Sequence, residues 1–147
     1  MKDNLFKKQY LALVYGNLSN RNGVINLPIG RKNGSIIERT IDYENGKDSI
    51  TNYEGICYDS KSDCSLIRCN LVTGRTHQIR VHFSAIGHPL AGDTLYGNSN
   101  CIFNRLMLHC SKLEFFHPAT NKKIIIESLD NFNIIITTRK TGGLLLA

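Results

Sequence analysis

Short runs of β-branched and aromatic residues, separated by turn residues, recur along this chain and limit it to a fold built largely from strands. Such runs, bounded by Gly, Asn, Asp or Pro, are typical of β-strands. Because the intervening turns are mostly short, the strands are expected to pair antiparallel. The predicted strands or extended stretches cover residues 9–15, 24–29, 36–43, 50–58, 64–72, 124–126 and 134–136.

One segment, residues 76–86, follows a helical pattern instead. Ile79, Phe83 and Ile86 recur there at spacings of four and three residues, which places them on one helical face. Thr76 is the predicted N-cap, and a glycine and a proline just beyond the segment form a stop signal. The sequence therefore predicts an α+β fold, a mainly antiparallel sheet with one helix packed on it through these three apolar residues.

Composition and charge place the chain among ordinary globular proteins. Of its 147 residues, 41% are hydrophobic and 20% are charged, as expected of one domain or a large piece of one. No apolar run is long enough to cross a bilayer, and the lysine-rich start lacks a signal-peptide pattern, so the cytoplasm is the expected compartment. The net charge of +6 suits a polyanionic partner, and equally a basic protein whose charge keeps it dispersed.

The five cysteines do not form a recognisable framework. Their number is odd and no pair is spaced Cys-x-x-Cys, which argues against a set of disulfides and against a zinc ribbon. Free cysteine in an apolar segment behaves as a small buried hydrophobe. A structural role is therefore expected for all of them, namely Cys57, Cys64, Cys69, Cys101 and Cys110.

Residues 73–82 combine a glycine turn, a helix start and several polar or basic side chains. A helix N-terminus with arginines nearby suits an RNA phosphate. Arg80 falls at the edge of the apolar helical face, where a half-buried guanidinium needs a carboxylate or a phosphate as partner. His82 falls close to Ile79 on the helical wheel and is interpreted as a packed or capping histidine.

Two further stretches contain candidate site residues. Residues 88–97 carry two glycines, a proline and Asp93, and they predict an ordered loop in which the aspartate forms a turn. Residues 106–118 alternate as a strand does, so that Leu108 shares one face with Leu106 and Cys110.

Taken in order, these stretches resemble the signature of RluA-type RNA pseudouridine synthases. Residues 74–82 (GRTHQIRVH) and 88–97 (HPLAGDTLYG) are similar to its central motifs in order and in spacing. Residues 108–110 with 116–118 resemble its later leucine-histidine and histidine-proline strand, and residues 8–16 resemble its lysine-x-tyrosine-leucine-alanine strand. The resemblance covers nearly the whole chain and implies that residues 1–147 are part of a pseudouridine synthase catalytic domain.

The resemblance also implies an activity, the isomerisation of uridine in ribosomal or transfer RNA to its C-glycoside without metal or cofactor. The target nucleotide is flipped into a pocket, an aspartate attacks it, and the freed uracil turns and rejoins through carbon 5. By motif position, Tyr10 would contact the flipped base and assist proton removal from carbon 5. Arg80 would pair with the aspartate and orient it, and Leu108 would form the apolar wall under the uracil.

By the same resemblance, four residues at the start of the helix would lie near the RNA backbone or support the site. They are Arg75, Thr76, His77 and Gln78.

One departure from the family pattern affects the expected activity. The family's catalytic aspartate lies in a histidine-arginine-leucine-aspartate motif upstream of the tyrosine strand, and this sequence contains no such motif. The chain is therefore expected to be a C-terminal portion that does not isomerise uridine alone, whether through truncation, a split gene or degeneration. Arg80 would then lack its partner, and uncovered apolar surface would favour self-association. A circular permutation would instead put the aspartate position at Thr138.

Two readings of other kinds remain as alternatives. The chain could be an RNA-binding remnant or degenerate paralogue without chemistry, which an upstream coding segment carrying the missing motif would argue against. A metal hydrolase using His77, His82 and His88 is disfavoured, because no two of these form a His-x-x-x-His pair and no carboxylate lies on that helix.

Overall fold

A computed structural model describes residues 6–97 and 102–128, and it has the expected α+β architecture. The main sheet has six antiparallel strands in the order β2-β5-β6-β1-β7-β8, and β3 and β4 form a separate hairpin. The strands are β1 (Phe6–Tyr15), β2 (Asn22–Asn26), β3 (Ile29–Arg31), β4 (Arg39–Ile41), β5 (Ile50–Asp59), β6 (Cys64–Leu71), β7 (Leu108–Phe116) and β8 (Lys123–Glu127), and the helix is α1 (Gln78–Ala85).

Most of the predicted strands are present, with two adjustments near the hairpin. The stretch 24–29 is divided into β2 and β3 around Pro28, which has no backbone N–H to donate to a ladder. The predicted strand over residues 36–43 is reduced to β4, because Ile36 is 85% exposed and Ile37 is 65% exposed before the ladder begins. The predicted strand over residues 134–136 lies outside the described residues.

The core lies on both faces of β1, the strand between β6 and β7. Side chains alternate between the two faces of a strand, so Ala12 and Val14 point to one side and Leu13 to the other. All three are at most 1% exposed. The helix covers the face of Ala12 and Val14 with Ile79 and Phe83, and this face carries the candidate site.

The helix is shorter than predicted, and two details of the prediction are wrong. His77, not Thr76, is the N-cap; its φ of 58° is left-handed and no side-chain hydrogen bond caps the helix. Ile79 and Phe83 are buried as expected, but Ile86 follows the last helical residue and is 37% exposed. Because the helix ends before Ile86, that side chain does not continue the buried face.

The described cysteines divide into two buried and two exposed side chains. Cys64 and Cys69 are buried as predicted, and burial raises the pKa of the Cys69 thiol to about 12. The same expectation is wrong for Cys57 and Cys110, which are exposed on β5 and β7. Cys101 lies outside the described residues. Within the described part of the chain, no helix is long and apolar enough to cross a membrane.

Candidate active site

The loop that precedes α1 is held in place by the buried side chain of Gln78. Its Oε1 accepts hydrogen bonds from the Thr73 hydroxyl and the Arg75 backbone N–H, both at 2.9 Å. Its Nε2 donates to the Ile50 carbonyl and to the Thr51 hydroxyl, both at 3.0 Å. Gln78 is only 2% exposed, so direct contact with RNA is excluded in this conformation, and the side chain supports the loop instead.

His82 extends this buried network across the sheet. Its Nδ1 lies 2.9 Å from the Thr51 hydroxyl, and its Nε2 lies 2.9 Å from the Leu27 carbonyl. Burial lowers the pKa of His82, which favours the neutral ring. Because a carbonyl can only accept, Nε2 carries the hydrogen and Nδ1 accepts from Thr51. The interpretation of His82 as a packed histidine is confirmed, since the side chain is 0% exposed.

Arg80 and Asp93 form the central ion pair of the site. The Arg80 Nε and Nη2 each donate to a different Asp93 oxygen at 2.8 Å. Burial opposes ionisation of Asp93, but the Arg80 guanidinium and the backbone N–H groups of Tyr96 and Leu95 outweigh it, so its pKa lies below the usual value. The same hydrogen bond to Asp93 raises the pKa of Arg80.

This pair confirms one expectation about Arg80 and corrects another. The half-buried guanidinium does have a carboxylate partner, as its place on the helix required; its side chain is 17% exposed and that of Asp93 is 0% exposed. The expectation that Arg80 lacks a partner is wrong, because Asp93 supplies one from the loop. Asp93 also forms the predicted turn, since it accepts the Leu95 and Tyr96 N–H groups at 3.0 Å.

Tyr96 is a site residue to which sequence reasoning gave no role. The Arg80 guanidinium carbon lies 4.9 Å from the centre of its ring, a cation–π contact. Its hydroxyl accepts from the Arg39 backbone N–H and lies 2.8 Å from the His77 Nδ1. Burial, Arg80 and Arg39 lower the pKa of His77, which favours the neutral ring. The Nδ1 of a neutral ring can accept the hydrogen bond that the Tyr96 hydroxyl donates. Tyr96 thus joins the hairpin, the helix N-cap and the Arg80 ion pair.

Tyr10 and Leu108 lie together on the face of the sheet that carries the helix. Tyr10 is opposite Cys110, and Leu108 is opposite Ala12, so these side chains share a face. Both Tyr10 and Leu108 pack against the cluster that contains Ile79, the helical neighbour of Arg80. The structure therefore has Tyr10, Leu108 and the helix that carries Arg80 on one side of the sheet.

The environment of Tyr10 leaves its hydroxyl accessible to a ligand. Burial and, to a smaller extent, Cys110 raise the pKa of Tyr10, so the phenol stays protonated at neutral pH. Among the described residues, its hydroxyl has no hydrogen-bond partner, yet no buried side-chain polar atom there lacks one. The hydroxyl is therefore not enclosed, and it can donate to or accept from a bound base.

The remaining predicted RNA-binding residues differ in accessibility. Arg75 and Thr76 are exposed, while His77 is partly buried beside Tyr96. The Arg75 Nε donates to the Asp48 carbonyl at 3.1 Å, which fixes the side chain without neutralising its charge. Contact of these residues with RNA stays a prediction.

The three histidines of the metal-site alternative do not converge. His77 faces Tyr96, His82 bonds Leu27 and Thr51, and the Nδ1 of His88 bonds the Tyr15 carbonyl. Within residues 6–97 and 102–128, no three His, Cys, Asp or Glu side chains are grouped as metal ligands.

Comparison with known proteins decides the family. A family model described as RNA pseudouridylate synthase matches residues 1–85, more than half of the sequence. The chain belongs to the RNA pseudouridylate synthase family. Its relatives support the RluA type that the motifs indicated.

Two curated relatives and one solved structure illustrate the similarity. The Bacillus subtilis protein named uncharacterized RNA pseudouridine synthase YjbO is 42% identical over 123 residues, 84% of this chain and 42% of that protein. The Escherichia coli dual-specificity RNA pseudouridine synthase RluA is 34% identical over 86% of this chain and 58% of its own length. The structure of human RNA pseudouridylate synthase domain containing 1 has a TM-score of 0.78 and 31% identity, covering 87% of this chain and 56% of that one. This chain thus spans between about two fifths and three fifths of these proteins.

Proposed function

We propose that this chain supplies the uridine-facing part of an RNA pseudouridine synthase active site, formed by Tyr10, Arg80 and Leu108. The reaction is the isomerisation of uridine to pseudouridine in ribosomal or transfer RNA. The observation that carries the proposal is the bidentate Arg80–Asp93 pair, which fixes the guanidinium of the residue next to Ile79, a member of the cluster against which Tyr10 and Leu108 pack.

Arg80 is arranged to hold a second carboxylate. Its Nε and Nη2 point to Asp93, while its Nη1 forms no hydrogen bond with any described residue. A guanidinium has five N–H donors in a rigid fork, so one edge remains for the nucleophilic aspartate that the family resemblance implies. Because Asp93 and the Tyr96 ring already hold Arg80, little reorganisation is needed when that aspartate binds.

Tyr10 and Leu108 provide the surface for the flipped base. Leu108 offers an apolar contact to the uracil ring, and the neutral Tyr10 phenol offers a hydrogen bond at the ring edge. In the isomerisation, the bond between the sugar and N1 breaks, the bond between the sugar and carbon 5 forms, carbon 5 loses its hydrogen and N1 gains one. In this proposal the Tyr10 hydroxyl assists the loss of the carbon 5 proton.

The nucleophile comes from outside the described residues in this proposal. Asp42 accepts hydrogen bonds from the backbone N–H groups of Glu44 and Asn45, and Asp59 accepts from Ser62, so both form turns. Among the described residues, Asp93 alone has a carboxylate bonded to Arg80, and its oxygens are already engaged by Arg80 and the loop backbone.

Two aspects of the proposal concern partners. One relative is named a ribosomal large subunit pseudouridine synthase, which supports ribosomal RNA as a substrate to examine. Transfer RNA, the other substrate that the resemblance implies, is proposed beside it. Self-association through uncovered apolar surface stays a prediction. The exposed phenylalanines Phe6 and Phe116, each more than half exposed at the β7 side of the sheet, are the apolar side chains that would take part in it.

The isomerisation can be followed with RNA tritiated at carbon 5 of uridine, since forming pseudouridine releases that tritium. We expect release when the chain is combined with a segment that carries the family's upstream histidine-arginine-leucine-aspartate motif, and none from the chain alone. Tyr10→Phe should lower the rate about 10²- to 10⁴-fold, the range for a positioned acid or base. Tyr58→Phe is the control, because Tyr58 is exposed and bonds Asp63.

The outcomes separate the readings. Tritium release by the chain alone, abolished by changing one of its own aspartates, would contradict a nucleophile from outside. RNA binding without release in the combined sample would favour the non-catalytic RNA-binding alternative.

A further inference from the structure

Four cationic side chains line a groove beside the candidate active site. The β3–β4 hairpin, the approach to β5 and the loop before α1 enclose a cavity of about 420 Å³. Arg31, Arg39, Lys47 and Arg75 contribute to its lining, and no carboxylate side chain does. These four residues, the cationic groove, come from three separate segments that only the fold brings together.

The cations of the cationic groove form no ion pairs within the described residues. Other cations of the protein are paired there, such as Lys32 with Glu38 at 2.6 Å and Arg68 with Glu54 at 2.7 Å. None of the four groove cations forms an ion pair with any residue in the ranges 6–97 and 102–128. A concave surface lined by one sign of charge concentrates its potential and attracts anions.

Two of the groove arginines are held in place by neutral carbonyls. The Arg39 Nη1 donates to the Ile37 and Glu38 carbonyls at 3.1 and 3.0 Å, and the Arg75 Nε donates to the Asp48 carbonyl at 3.1 Å. These bonds orient the guanidinium groups without cancelling their charge. The remaining N–H groups of these two arginines can donate hydrogen bonds to the phosphate oxygens of a nucleic acid backbone.

The groove is connected directly to the Arg80 site. The Arg39 backbone N–H donates to the Tyr96 hydroxyl at 2.8 Å, and the ring of that tyrosine lies against the Arg80 guanidinium. On the other side of Arg75, a second cavity of about 310 Å³ is lined by Lys7 and Lys8. The cations therefore continue past Arg75 along one surface.

We propose that the cationic groove binds backbone phosphates of the RNA strand that carries the target uridine. This inference rests on the proposed function and adds to it a second contact region, provided by the β3–β4 hairpin, beyond the helix N-terminus. A flipped nucleotide remains covalently joined to its neighbours, so its strand must cross the surface next to the site. The contact is to the phosphates and not to the base edges, so it fixes the path of the strand with little dependence on sequence.

The test is RNA binding measured by fluorescence anisotropy over a salt titration from about 50 to about 200 mM. The full chain is titrated onto a labelled RNA stem–loop with uridines in its loop. Arg31→Ala and Lys47→Ala should each weaken binding several-fold and reduce the slope of log affinity against log salt by roughly 0.7. Arg75→Ala should act in the same direction. Lys122→Ala is the matched control, because Lys122 is exposed in the β7–β8 turn at the other edge of the sheet.

The outcomes distinguish this inference from the proposed function. If the wild type binds RNA but the groove variants match Lys122→Ala in affinity and slope, the groove is not a phosphate site and the proposed function is untouched. If the wild type binds no RNA, both are wrong. Lys47→Arg, which keeps the charge, should retain more affinity and a steeper salt slope than Lys47→Ala, and unchanged thermal melting of each variant shows that the fold is retained.

Discussion

Replacing Asp93 with alanine is expected to lower the free energy of unfolding by about 3–5 kcal/mol, the cost of removing one partner of a buried ion pair. The Arg80 guanidinium would remain largely buried at 17% exposure without its carboxylate, and the Leu95 and Tyr96 N–H groups would lose their acceptor. Urea denaturation followed by circular dichroism measures the change. The expected loss is a large part of the whole free energy of unfolding, which is about 5–15 kcal/mol for a domain.

A matched control and the pH dependence make this expectation specific. Asp59→Ala removes an aspartate that also caps a turn, because it accepts hydrogen bonds from the Ser62 and Lys61 N–H groups. Asp59 has no arginine partner, so this variant should lower the free energy of unfolding only slightly.

The pKa of Asp93 is lowered in the folded state. The contribution of Asp93 to stability is therefore present above its unfolded pKa and disappears as the pH falls through the folded value. The wild type and Asp93→Asn should therefore differ at pH 7, and the difference should begin to shrink only below about pH 4, as the pH falls towards the folded pKa of Asp93. Equal stability at pH 7 would contradict the ion pair.

Replacing Phe83 with alanine should cost about 3–5 kcal/mol, the usual range for a buried phenylalanine. Phe83 is 0% exposed, and its ring meets the Tyr53 ring edge to face with the centroids 5.4 Å apart. The substitution leaves a cavity between α1 and the sheet. Thermal and urea unfolding give the change in free energy.

Ile86→Ala is the comparison that tests the corrected helix boundary. The sequence pattern placed Ile86 on the same buried face as Phe83, whereas the structure has it 37% exposed beyond the last helical residue. A loss below about 1 kcal/mol is expected there, as for other partly exposed positions. Similar losses for the two variants would support the longer helix that the sequence pattern predicted.

Local pattern predicted the elements of this fold well because each signal is short-range. Apolar runs between turn residues predicted β1, β5, β6 and β8, and the spacing of Ile79 and Phe83 predicted α1. Boundaries were less accurate, because the end of α1 and the short β4 depend on which side chains the rest of the fold covers. The exposure of Cys110 has the same origin, since Cys110 and the buried Cys69 both lie opposite Tyr10 on one face of the sheet and differ only in what the rest of the fold covers.

The candidate site was only partly predictable, because its key contacts join residues that are distant in sequence. The position of Arg80 on the helix predicted that it needs an anion, but nothing local identified Asp93, thirteen residues later, as the partner. Tyr96 could have been suspected from its place three residues after Asp93 in the same loop. Its link to Arg39, 57 residues earlier, is set by the tertiary fold. By resemblance, Gln78 was expected near the RNA backbone or in support of the site, and no local pattern showed that its side chain is buried beneath the loop before α1.

Photo-crosslinking locates the surface that binds the target uridine, using ribosomal and transfer RNA transcripts that contain 4-thiouridine in place of uridine, followed by peptide mass spectrometry. We expect the strongest adducts on β1 around Tyr10 and on β7 around Leu108, the two strands that form the proposed uracil surface. Adducts concentrated on the opposite face of the sheet, around Leu13 and Met107, with none near Tyr10 or Leu108, would contradict it.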